Sequence, residues 1–313
     1  MDAANLAAGS WRTHLKLNSS FVPDYGRPRR LADRVHRITA PNPSPFTFHG
    51  TNTYIVGTKT LAIIDPGPDS DTHLNSLMEF IAGRTVSHIF VTHTHRDHSD
   101  LVPRLTAVTH AKTVAEGAHR PSRPMRGGET ETLDTSSDRT FRPEIVLNDG
   151  ARISGDGWTI EAVHTPGHTK NHCAFSLVDK GILFSGDHVM GWATTIVAPP
   201  SGKMSDYMTS LDKLLTRPER LYLPGHGDVL KNPKSYMKAL KAHRKMRERA
   251  VLQRIRGGDR VISDIVTALY RDTDPRLHAA AALSVFAHLE DLVERGLVRA
   301  TGEPSPSAAY FPV

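Results

Sequence analysis

Two apolar, β-branched runs at residues 53–57 and 61–65, joined by a short turn, predict a β-hairpin that Pro66-Gly67 stops. Asp71 then opens a helix through Leu74, Leu77, Met78 and Ile81, which fall at helical spacing, and Gly83 ends it. A strand at 88–92 runs straight into a polar loop. Further strands are predicted at 112–116, 144–147, 158–164, 172–177, 182–185 and 221–223, with a helix near 205–215. Strands and helices both abound, and hairpins occur among the strands. That pattern predicts mixed sheets with helices outside rather than a simple parallel α/β fold. Residues 1–35 are polar and spotted with Pro and Arg, and Pro41-Asn42-Pro43-Ser44-Pro45 can be neither helix nor central strand. An irregular arm over 1–45 is the expectation. Residues 117–143 form a long polar stretch, the kind of loop that is usually functional or mobile.

The texture changes near residue 231. Pro233 opens a basic helix to about Ile255, stopped by Gly257-Gly258. Ser263 caps a short helix over 264–270, and an alanine-rich helix follows over 276–295. Extended pieces at 297–299 and 309–312 flank a Gly/Pro/Ser turn. Helices ending in a hairpin predict a winged-helix-like module. The expected division is therefore a catalytic domain over 1–230 and a small domain over 231–313.

Composition narrows the chemistry. Cys173 is the single cysteine, so an internal disulfide and a Cys-based zinc site are excluded. It falls in a predicted strand and reads as a small buried hydrophobe. Any metal site must be built from His and carboxylate, and the chain holds 18 histidines. No apolar run approaches the roughly 20 residues that span a bilayer, so no membrane partner is expected. The start, MDAANLAAGSWRTHLK, lacks the apolar run of a secretory signal, and a cytoplasmic protein is expected.

The segment Thr92-His93-Thr94-His95-Arg96-Asp97-His98 carries the densest chemistry. It leaves a buried strand, so its start is rigid. His93 and His95 share one side of an extended backbone, and Asp97 and His98 follow as the loop turns. Four ligand-type side chains leaving one edge suit two neighbouring ions. HTHRDH after an apolar strand resembles the metallo-β-lactamase superfamily motif. Thr165-Pro166-Gly167-His168-Thr169, Phe184-Ser185-Gly186-Asp187 and Leu223-Pro224-Gly225-His226-Gly227 match its later motifs in order, and Ile64-Asp65-Pro66-Gly67 resembles its structural turn. The resemblance covers about residues 50–230.

It implies an αββα sandwich with the site at the strand ends. It implies one ion on His93, His95 and His168, a second on Asp97, His98 and His226, and Asp187 bridging them. Two divalent ions, Zn²⁺ first with Mn²⁺ or Fe²⁺ as alternatives, would share an activated hydroxide. Asp97, His98 and Asp187 are the expected catalytic residues. Gly167, Gly186, Gly225 and Gly227 flank ligands where a Cβ would clash. Asp65 either orients a ligand imidazole or caps the turn. After Asp187 the chain departs from the glyoxalase-II pattern and is similar to a β-lactamase-like subgroup with a C-terminal winged helix. Met190 and Trp192 are candidate substrate-binding residues, with packing beneath the site as the equal alternative; His172 and His188 are candidates too, against the more ordinary reading of packing or hydrogen bonding behind the ligands.

The expected substrate is a small anionic molecule with an ester, thioester, lactone or related bond. β-Lactam hydrolysis is not expected of a chain without an export signal. Residues 231–260 hold eleven Lys/Arg against Glu248 and Asp259, a local charge of +9 in a chain of +6. That basic helix could grip phosphate backbones, so the alternative is a metal-dependent endoribonuclease acting on single-stranded nucleic acid. A solvated helix face accounts for the charge equally well. A homodimer is compatible with the sequence.

Overall fold

The computed structural model describes residues 15–126, 136–271 and 274–313. The central part of the 117–143 stretch and the first residues of the expected arm (127–135 and 1–14) lie outside the described residues.

The first sheet runs β1 (Arg29–Ala32), β2 (Val35–Thr39), β3 (Asn52–Gly57), β4 (Thr60–Ile64), β5 (Thr85–Phe90), β6 (Lys112–Ala115) and β7 (Ile145–Val146), in that spatial order. Its first four strands pair antiparallel and the rest parallel. Helices α1 (Asp71–Ile81), α2 (Arg96–Ser99) and α3 (Val102–Thr109) lie between its strands in sequence. The second sheet has β8 (Arg152–Gly155), β9 (Trp158–His164), β10 (Cys173–Leu177), β11 (Ile182–Gly186) and β12 (Leu221–Pro224), ordered β12-β11-β10-β9-β8. Helices α4 (Met204–Thr216), α5 (Pro233–Arg256), α6 (Ile262–Leu269) and α7 (His278–Glu294) follow, and β13 (Val298–Ala300) pairs with β14 (Tyr310–Pro312).

Period-two alternation sorts side chains between layers. Tyr54, Val56, Ala62 and Ile64 face inward to meet Phe175, Phe184 and Leu223 of the second sheet. Ile55 and Ile63 face outward onto Leu77 and Ile81 of α1 and Leu105 of α3. On the far side, Val163, Ala174 and Leu183 pack beneath Tyr207 and Leu211 of α4 and Met237 and Leu240 of α5. The result is the expected αββα sandwich. Cys173 is buried with a free thiol, packed in the core between the sheets.

The C-terminal helices have their own core of Ile265, Val285, Phe286, Leu289 and Tyr310. Helix α5 serves both regions. Met237 and Leu240 pack on the sandwich, whereas Val251 and Ile255 pack on α6 and α7. Among the described residues no helix is long and apolar enough to cross a membrane.

Several elements differ from expectation. The segment read as an irregular arm contains the β1–β2 hairpin. Arg34 turns it with a left-handed φ of 60°, and Val35 and Ile38 are fully buried. Its Arg-rich first strand is exposed and hides the pattern. The short helix α3 is missing from the expected elements; Pro103 sits at its start, where its missing N–H costs nothing. Strand β8 is a half-exposed edge with weak alternation.

Candidate metal centre

Strand β5 ends at Phe90, and the chain turns out of the sheet at Thr92. Asp65, at the corresponding end of β4, holds this turn. One oxygen, Oδ1, accepts the Thr92 N–H at 2.7 Å, and Oδ2 accepts the Thr92 hydroxyl at 2.8 Å. The same Oδ2 lies 2.9 Å from His98 Nδ1. Asp65 is 2 % exposed and has φ 50°, a conformation that Asp tolerates better than most residues. Both contacts open in the sequence are present: Asp65 holds the turn through Thr92 and also meets the His98 imidazole.

The histidine and aspartate side chains of the four motifs converge at the strand ends. His93 Nε2 and His95 Nδ1 are 2.9 Å apart, and His168 Nε2 is 3.1 Å from the same His95 Nδ1. A second set adjoins it. Asp97 Oδ2 lies 3.4 Å from His98 Nε2 and 3.3 Å from His226 Nε2. Asp187 reaches both sets, with Oδ2 at 3.3 Å from His226 Nε2 and 3.8 Å from His168 Nε2, and Oδ1 at 3.5 Å from His98 Nε2. Three combinations could each hold an ion: His93/His95/His168, His93/His98/Asp187 and Asp97/His98/His226.

The fit to divalent metal can be judged from these atoms. Ligands about 2.0–2.1 Å from a tetrahedral ion stand roughly 3.3 Å apart, close to the spacings here. The outer nitrogens are already engaged. His168 Nδ1 lies 2.6 Å from Ile196 O, His226 Nδ1 lies 3.1 Å from Gly50 O, and His98 Nδ1 is held by Asp65. Each contact suits a proton on Nδ1, which makes Nε2 the atom that a metal ion would bind. His98 Nε2 and Asp187 Oδ1 are buried without a hydrogen-bond partner. Buried polar atoms are normally satisfied, so these two mark the place of a missing charge.

Electrostatics divides the two sets. Burial, helped by His98 and His95, holds His93 well below the ordinary imidazole value, and burial with His168 lowers His95 to about 3. Burial also opposes the charged form of His226, but the Asp187 and Asp97 carboxylates override it and raise the pKa to about 10. His98 is likewise raised against burial by Asp97, Asp187 and Asp65. Three neutral imidazoles thus face two imidazolium–carboxylate groups whose protons a metal ion would displace.

The glycines give the ligands room. A Cβ on Gly225 would sit 2.5 Å from Asp187 Oδ1 and 2.6 Å from His98 Cε1. One on Gly167 would strike the Tyr207 backbone at 2.3 Å.

A cavity of about 950 Å³ opens over the histidine–aspartate cluster and runs to α5, to Tyr270 just after α6, and to α7. Met190 and Trp192 line it, and Trp192 stacks on Phe48 at 4.9 Å. His172 and His188 do not line it. Both are fully buried, which removes them from the expected substrate-binding set. His172 accepts the Asp187 N–H at 3.2 Å and so braces that residue from behind. His188 packs on Tyr207 at 4.5 Å between ring centres. Sequence reasoning misses two pairs of contributors to the cavity wall: Leu15 and Leu17 before the first strand, and Arg244 and Arg247 on α5, which the sequence shows only as part of a basic run.

Comparison with known proteins agrees with this geometry. Residues 46–226 match the model of the metallo-beta-lactamase superfamily, and residues 262–305 match that of the beta-lactamase associated winged helix domain. A beta-lactamase-like protein 2 homolog of Caenorhabditis elegans is 30% identical over 274 residues, covering 86% of this chain and 87% of that protein. An atrochrysone carboxyl ACP thioesterase of Paecilomyces divaricatus is 32% identical over 230 residues, covering 72% and 66% of the two chains. The crystal structure of a metallo-beta-lactamase family protein from Thermus thermophilus superposes with TM-score 0.73 at 24% identity, over 91% of this chain and all of that one. With the sandwich, the ordered motifs and this match in hand, the chain belongs to the metallo-beta-lactamase superfamily of hydrolases and carries a winged helix domain at its C-terminal end.

Proposed function

We propose that this chain is a zinc-dependent hydrolase of ester, thioester or lactone bonds in a small amphipathic, anionic substrate. The observation that carries the reading is the pair of adjoining ligand sets, joined by Asp187, at the floor of a largely apolar cavity. In this reading His93, His95 and His168 would hold one ion and Asp97, His98 and His226 the other, with Asp187 within reach of both sets. Bound divalent ions supply Lewis-acid activation of water and of the substrate carbonyl.

The chain's own residues do the rest. Asp65, Ile196 O and Gly50 O aim the imidazoles. Before metal binds, the cationic His98 and His226 lower the Asp97 pKa against the cost of burial, so it is already ionised at neutral pH and ready to take an ion. Thr51 Oγ1 donates to it at 3.1 Å and fixes its direction. Met190 and Trp192 give the substrate's apolar part a wall and keep bulk water from it. The thioesterase name of one relative supports an acyl-transfer substrate class. Residues 1–230 and 231–313 form the two domains in this account, with α5 shared.

Purified protein should hydrolyse a panel of thioesters, aryl esters and lactones, and a chelator should abolish the activity until metal is restored. Cleavage of labelled single-stranded RNA without ester or thioester turnover would refute the reading. One observation favours that second reading. Lys234, Lys238, Lys245 and Arg249 of α5 lie on or near its solvent side and could track a phosphate backbone.

A further inference from the structure

Several arginines in and against the C-terminal region meet a carboxylate. Arg123 and Arg126 close on Glu290, Arg254 on Asp259, and Arg295 on Glu248 and Asp291. Arg244 and Arg247 do not. Among the described residues neither is paired with a carboxylate, yet both line the cavity.

These two arginines stand three residues apart on α5, so they share a face. Arg244 is only 4 % exposed. Its guanidinium lies 5.1 Å over the Tyr207 ring, Nη2 donates to Thr195 O, and Nε has no hydrogen-bond partner. Arg247 lies 4.6 Å over the Tyr270 ring, and its Nη1 donates to Leu269 O at 3.1 Å. Aromatic rings and carbonyls thus hold both groups in place without neutralising them. An unpaired cation withdrawn from water is costly, and an arriving anion would offset that cost with charge-assisted hydrogen bonds. The planar guanidinium fork suits carboxylate or phosphate.

Among the described residues the only carboxylates on the cavity wall are Asp97 and Asp187, and both are engaged with His98 and His226. Thr195 connects the two ends. Its hydroxyl donates to Asp187 O at 2.7 Å, while its own carbonyl accepts from Arg244. Apolar side chains, among them Ile196, Pro199 and Leu277, line the space around this path.

We propose that Arg244 and Arg247 form an anion-binding subsite, which takes the carboxylate or phosphate of an amphipathic acyl ester or thioester whose scissile bond lies over the histidine–aspartate cluster. The inference rests on the hydrolase reading of the same cavity and adds the group that the substrate must carry. The winged-helix region then contributes one wall of the substrate site.

The test compares anionic and neutral partners of one substrate. Carboxylate on the acyl side is probed with mono-4-nitrophenyl adipate and suberate against 4-nitrophenyl hexanoate and octanoate. Phosphate on the thiol side is probed with S-hexanoyl phosphopantetheine against S-hexanoyl pantetheine. In one arm the metal-loaded protein should prefer the anionic member by about tenfold or more in kcat/KM, as expected for a charged hydrogen-bonded pair. The preference should collapse toward one in Arg247→Met and survive in part in Arg247→Lys. A purely structural arginine would lower both members equally and leave their ratio alone. No preference in either arm, or one that persists in Arg247→Met, overturns the subsite while the hydrolase reading stands. If no ester or thioester is cleaved, the hydrolase reading fails. The subsite is then judged by calorimetric binding of hexane-1-sulfonate, which should be about tenfold weaker in Arg247→Met. Equal affinity there overturns it.

Discussion

Replacing Asp65 by Asn should disarm one ligand set while leaving the fold nearly intact. Asn is nearly isosteric and also tolerates the left-handed backbone that Asp65 adopts, so the exchange isolates the charge. Asp65 accepts three hydrogen bonds, two from Thr92 and one from His98 Nδ1. An Asn oxygen can replace Oδ1 toward the Thr92 N–H, but its NH₂ then faces Thr92 Oγ1 and His98 Nδ1. His98 can accept from that group only by moving its own proton to Nε2, the atom that faces Asp97 and Asp187. In that tautomer Nε2 cannot bind metal. Loss of such an outer contact typically costs 10–100-fold in metal affinity, about 1.4–2.7 kcal/mol. Stability should fall by about 1–3 kcal/mol, because one buried contact becomes mismatched. Competition titration with a chromophoric chelator would resolve the two uptake steps. One equivalent should shift, and the other should move little, since His93, His95 and His168 do not touch Asp65 directly. Two unshifted steps in a folded variant would refute the tautomer argument.

Other perturbations follow from the same contacts. Gly225→Ala should lower metal content and activity more than ~10-fold, because its Cβ would press on Asp187 and His98, whereas Gly181→Ala, with nothing within 4 Å, should lose only about 1 kcal/mol in a denaturant melt and keep its metal. Buried His73, whose Nε2 lies 2.8 Å from Thr53 Oγ1, has its pKa lowered by burial to about 4 from an ordinary 6.5. The unfolded chain therefore binds the extra proton as pH falls from about 6.5 to 4, so stability should drop across that window by on the order of 2–3 kcal/mol. Urea melts at pH 7 and pH 5 should show about two-thirds of this loss, reduced in His73→Gln. Ending the chain at residue 230 strips Met237, Leu240 and Ala287 from the core outside the second sheet. Circular dichroism should then report a large fall in melting temperature or no cooperative transition.

Sequence revealed the histidine–aspartate cluster more readily than the cavity. His93, His95, Asp97 and His98 are neighbours in the chain, and local periodicity places them on one strand end. His168, Asp187 and His226 each sit beside a glycine that a strand interior would not favour. By contrast, no local pattern distinguishes Arg244 from the other basic residues of α5. Its environment depends on Tyr207 and Thr195, which are distant in sequence and meet it only after the second sheet and α4 have packed. His172 and His188 look like substrate residues because they neighbour ligands, but strand alternation and the turn after Asp187 direct both into the core. The β1–β2 hairpin escapes notice because a half-exposed edge strand obeys solvent more than pattern.

The central claim is that seven side chains hold a pair of ions, and metal stoichiometry joined to anomalous scattering tests it most directly. The account predicts two equivalents per chain, one among His93, His95 and His168, the other among Asp97, His98 and His226, with Asp187 touching both. A single ion, or two whose anomalous peaks lie away from these residues, would contradict it.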